Sequence, residues 1–255
     1  MNAMAPAQCS GLGRRDPVKA HLLPLVVFMA VGLGADWGGF GSDSKLWVYP
    51  LQAIAGLALI GFYWPAFEFR PWRGWLLILL TAPLAWAAWL APSWIYRHYG
   101  APAWMDLPVP MMEIPLRTVC GLTDRTDGFD PNAYAGTMLP VWAGVALRFL
   151  RLVVTVPLVE EVCWRGFVMR QVDDPGRSFA ENPFGRHRWR TYGIVTALVV
   201  LVHQPMDWFG ALVFGSLAYF IAVRTKSLGA CVIFHAAVNL LLGISVMLTS
   251  QWGFW

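Results

Sequence analysis

The stretch Leu228-Gly229-Ala230-Cys231-Val232-Ile233-Phe234-His235-Ala236-Ala237-Val238-Asn239-Leu240-Leu241-Leu242-Gly243-Ile244-Ser245-Val246-Met247-Leu248-Thr249 contains no Asp, Glu, Lys or Arg. About 20 apolar residues, rising ~1.5 Å each, cross the ~30 Å hydrocarbon core of a bilayer. The stretch therefore reads as a membrane-spanning helix. His235 and Asn239 interrupt it four residues apart, on one helix face. Polar groups inside a bilayer are costly and are kept either for function or for a bond between helices.

Similar apolar runs lie at about 22–40, 46–66, 74–92, 138–159, 190–204 and 208–223. Over the whole chain 57% of residues are hydrophobic and 13% are charged. A soluble domain carries ~25% charge, so this chain cannot build a water-facing surface. The expected fold is all-α: a polytopic transmembrane helix bundle of about seven, at most eight, helices around an intramembrane polar cavity. The expected organisation is a cytoplasmic tail over 1–21 and a single transmembrane domain over 22–255. The fifth and sixth runs are short for a span and flank a candidate re-entrant turn at 204–207. The connection 93–137 is long and rich in proline, and its expected place is at the interface or as a cap on the bundle.

Arg14, Arg15 and Lys19, then Arg70 and Arg73, then the arginines between 170 and 190, then Arg224 and Lys226 all fall on one side of a seven-span chain. The acidic residues Asp106, Glu113, Asp124, Asp127 and Asp130 fall on the other. Basic loops stay in the cytoplasm, which places the N-terminus there. No Lys/Arg stripe accompanies a nucleic-acid-binding motif, so no nucleic-acid partner is expected. The expected partners are membrane lipid and a membrane-anchored peptide or protein substrate. Cys9, Cys120, Cys163 and Cys231 form no CxxC pair, which predicts neither a disulfide nor a cysteine metal site.

Three polar positions carry the chemistry: Glu160-Glu161 with Arg165, His203, and His235 with Asn239. Glu161 and Arg165 are one turn apart and can pair, while Glu160 is rotated about 100° from Glu161 and can face the bundle interior. A carboxylate in a low-dielectric cavity can act as general base to a water, and His and Asn can donate to an oxyanion. No GxSxG or HExxH offers another nucleophile or a metal motif. Singly, each position has a plain reading: a helix end at the headgroups, an interfacial histidine, an interhelical hydrogen bond. Arg148 and Arg151 are expected to face the cavity or pair with Glu160 or Glu161. His21, His98 and His187 are expected at solvent or the interface.

The ordered set Glu160-Glu161-x-x-x-Arg165, then His203, then His235-x-x-x-Asn239 resembles the three signatures of the CPBP family (CAAX-protease and bacteriocin-processing, Abi-type). Val199 stands where that family usually has Phe. The resemblance covers about 138–245. It implies an intramembrane endopeptidase in a bacterial inner membrane, of CAAX-type or related processing. Glu160 would activate the water with help from His203, His235 and Asn239 would hold the oxyanion, and Glu161 and Arg165 would support the helix. It leaves two chemistries open. One is metal-free and glutamate-based, with no cofactor, and is favoured because Asn239 suits an oxyanion better than a metal. The other holds zinc on Glu160, His203 and His235. The rivals to proteolysis are a non-catalytic immunity or scaffold protein of the same family and a proton-coupled transporter.

Overall fold

The computed structural model describes residues 16–37 and 44–255. Arg14, Arg15, Cys9 and most of the proposed 1–21 tail lie outside the described residues. Seven principal helices follow in order: α1 Pro17–Trp37, α2 Lys45–Tyr63, α3 Trp75–Tyr99, α4 Val141–Asp173, α5 Trp189–Leu201, α6 Trp208–Thr225 and α7 Leu228–Thr249. Among the described residues there is no strand. Six of the helices are long and apolar enough to cross a membrane, and α5 is the shorter apolar one. On α3, Leu76, Leu79 and Leu80 are 70%, 69% and 60% exposed, as a lipid-facing surface requires.

Helix ends follow local chemistry more closely than hydropathy. α1 starts a turn before its apolar run, because the Asp16 carboxylate accepts from the Val18 N–H at 2.9 Å and Pro17 occupies the first helical position. α3 passes through Pro92 and runs to Tyr99, longer than the run 74–92 suggested. Its stop is Gly100, at φ 71, whose N–H donates to Tyr96 O. Ser227 caps α7 by accepting from the Ala230 N–H at 3.0 Å.

α4 is the axis of the bundle. α1 and α2 pack together on one side of it, and α7, with α3 and α6, packs on the other. One apolar core joins Phe28, Ile60, Val159 and Val162; the second joins Ala82, Phe214, Ala218, Phe234 and Val238. α4 is not a uniform α-helix. Leu150–Thr155 and Val162–Val168 are π-helical, on either side of an α-helical turn, Val156–Glu161, that carries the two glutamates. π-segments inside helices are common at functional sites.

One end of the bundle is tightly tied. Arg73 donates to Thr225 O, Lys226 donates to Gly185 O, and the Gly229 N–H donates to Phe69 O at 3.1 Å. His21 is buried there, which corrects its expected place at solvent or the interface. Its Nδ1–H donates to Pro17 O, and its ring meets the edges of Phe67 and Phe179 at 5.3 and 4.9 Å. The opposite end is formed by the 100–140 connection, the turn after α5 and the C-terminal residues.

Candidate active site

α5 has 13 residues and so rises only about 20 Å, short of a full crossing. His203 stands in the turn that follows, just past the helix. Its Nδ1–H donates to Val199 O at 2.7 Å, and the Trp208 indole N–H donates to His203 O at 3.0 Å. A carbonyl can only accept, so Nδ1 holds the proton and Nε2 is the ring's free nitrogen. Trp89 meets the ring edge-on at 5.6 Å.

Glu160, His203, His235 and Asn239 all line one cavity of about 440 Å³. The four residues expected to act together thus come from α4, the α5–α6 turn and α7 into one space. The two adjacent glutamates divide their tasks. Glu161 is fully buried, and its Oε1 accepts from Arg165 Nη1 and from His235 Nδ1, both at 2.9 Å. Glu160 is half-buried, faces the cavity and makes no hydrogen bond to the described residues. The expected Glu161–Arg165 pair is present, and it has a further function: it fixes the ring of His235. With Nδ1–H committed to Glu161, the nitrogen left to His235 is Nε2.

Asn239 is partly committed as well. Its Nδ2 donates to Leu152 O at 2.8 Å. The π-segment explains why that carbonyl is free. The Val156 N–H, its α-register donor, bonds to Arg151 O instead. Its π-register donor would be residue 157, a proline with no N–H. Asn239 fills the vacancy and retains one N–H and its carbonyl oxygen. Asn239→Ala should therefore cost about 1–3 kcal/mol of stability, because it strands a carbonyl inside the bundle. Thermal unfolding of the detergent-solubilised protein reads this; an unchanged midpoint would contradict the assignment.

Arg148 and Arg151 make no hydrogen bond to Glu160 or Glu161; of the two expected places Arg151 takes the cavity, while Arg148 takes neither, which corrects the expectation for Arg148. Arg148 is buried among rings, with its guanidinium 4.0 Å from Tyr49, 5.0 Å from Trp255 and 5.5 Å from Phe129. Cation–π attraction replaces a carboxylate there. Arg151 does reach the cavity. Its Nε donates to Gln52 Oε1 at 2.8 Å, and its guanidinium lies 4.7 Å from Tyr49 and 5.1 Å from Phe28.

The long connection is the cap, as one of its two expected places would have it. Arg125 Nη2 donates to Met206 O at 2.6 Å and to Asp207 Oδ1 at 2.7 Å, while the Gly253 N–H donates to Arg125 O at 2.8 Å. This buried arginine fastens the connection to the turn after α5 and to the C-terminal residues. Arg125 was not singled out in the sequence. The available signal was an arginine set between Asp124 and Asp127.

Among the described residues, no three His, Cys, Asp or Glu side chains gather closely enough to hold a metal ion. The donor set Glu160, His203 and His235 thus does not fit a zinc centre as arranged.

Residues 142–241 match the model of the Rce1-like family, type II CAAX prenyl endopeptidases. No curated protein matches the chain. No solved structure matches it either. The matched family and the six apolar helices make the chain an integral membrane protein.

Proposed function

We propose, for a chain whose residues 142–241 belong to the CAAX prenyl endopeptidase family, that it is a metal-independent intramembrane endopeptidase using Glu160 as general base. One observation carries this assignment. Of the two adjacent glutamates, Glu161 is held by Arg165 and His235, while Glu160 faces the shared cavity without a hydrogen-bond partner among the described residues.

In this reaction Glu160 takes a proton from a water as the water oxygen bonds to the scissile carbonyl carbon. The resulting oxyanion is held by the second N–H of Asn239 and by His235 Nε2–H when that ring is protonated. The C–N bond then breaks, and the proton on Glu160 passes to the leaving nitrogen. His203 Nε2, the ring's free nitrogen, holds the water or the departing amine. Phe28, Trp89 and Phe214 on the cavity wall limit water entry and suit apolar substrate side chains. The substrate is a membrane-associated peptide or protein.

Metal dependence is tested directly. Purified protein treated with a strong chelator should keep its turnover and hold far less than one zinc per chain. Loss of activity with recovery on added Zn²⁺ would replace the glutamate chemistry with the metal one.

A further inference from the structure

Among the described residues, the exposed and half-buried residues lining the outer part of the cavity lie at one end of the bundle. Lys45 and Tyr49 at the start of α2, Asp127 in the cap, Gln204 in the turn and Trp252 near the C-terminus surround this outer part, its mouth. All belong to the end that carries the 100–140 connection. Glu160 and His235 lie deeper in the same space. The other end is closed by the Arg73–Thr225, Lys226–Gly185 and Gly229–Phe69 hydrogen bonds and by the buried His21. Asp173 is also buried at that end, 3.2 Å from Arg188 and 3.6 Å from Arg186.

Charge separates the same two ends. The closed end carries Arg70, Arg170, Arg177, Arg190 and Arg224 in addition to those just named. The open end carries Asp106, Glu113, Asp124, Asp127, Asp130 and Asp207, against Lys45, Arg97, Arg117 and Arg125. Arginine-rich ends remain in the cytoplasm.

We infer that the cavity opens on the extracytoplasmic face and that its substrate is a polypeptide segment presented from that side. A prenylated CAAX substrate, the kind the matched family's description names, would meet the closed end if it were offered from the cytoplasm. The substrate part of this inference rests on the proteolytic assignment; the direction of the mouth does not.

The test needs three labelling positions and one assay. Cys163 and Cys231 are buried, so replacing Cys9 and Cys120 with Ser leaves a background poor in reactive thiols. Lys45→Cys and Asp127→Cys, at the mouth, should react with a membrane-impermeant maleimide on intact cells. Arg177→Cys, exposed at the closed end, should react only after permeabilisation. The reverse pattern would overturn the inference.

For the assay, a pool of quenched fluorescent peptides is added to sealed vesicles of each orientation. Cleavage by right-side-out vesicles is expected, and cleavage by inside-out vesicles alone would overturn the substrate assignment. If detergent-opened vesicles cleave nothing while the labels fall as expected, the proteolytic assignment fails and the outward mouth stands.

Discussion

Glu160→Gln should lower peptide hydrolysis by about 10²–10⁴-fold, the usual contribution of a positioned general base. The variant keeps the size of the side chain and its capacity to hydrogen-bond, and removes only the basic carboxylate. Glu160 makes no hydrogen bond to the described residues and is half-buried, so thermal stability should stay near that of the parent protein. That combination separates a catalytic group from a structural one. The measurement is kcat on a verified membrane peptide beside an unfolding curve in the same detergent. Full activity in Glu160→Gln would sink both the glutamate and the zinc mechanisms and return the chain to the non-catalytic rival.

The spans were readable because lipid permits few alternatives: backbone groups must bond internally, and side chains facing the hydrocarbon must be apolar. The exact ends were less readable, since Asp16, Pro17 and Gly100 act through local hydrogen bonds and dihedrals that hydropathy ignores. The three polar signatures could be seen in the sequence, and the cavity brings all four expected side chains together. Their division of labour could not. Whether His235 reaches Glu160 or Glu161 depends on how α7 is rotated against α4, which packing decides. The π-register of α4 was hidden for the same reason, although Pro157, which leaves Leu152 O without a donor, stands in plain view. Arg148 shows the limit of charge pairing as a rule: its neighbours across the fold are Tyr49, Phe129 and Trp255.

The largest stability effect should come from the group behind the catalytic face. Arg165 and Glu161 are 1% and 0% exposed, and a single 2.9 Å contact joins them. Glu161 Oε2 and Arg165 Nε and Nη2 have no hydrogen-bond partner among the described residues. Two desolvated charges with so few bonds contribute little net stability as a pair, yet each is costly without the other. Arg165→Met fills much of the same volume and leaves the Glu161 carboxylate facing only His235. The expected loss is about 3–5 kcal/mol, as when one partner of a buried ion pair is removed. It would appear as a fall in Tm on the order of 10 °C for a chain of this size. Adding Glu161→Gln removes the stranded charge while its amide oxygen can still accept from His235 Nδ1–H. The double variant should recover most of the loss, a coupling that independent sites would not show. A double variant no more stable than Arg165→Met would mean that Arg165 acts by packing against Phe214, whose ring lies 5.8 Å from its guanidinium, and not by neutralising Glu161.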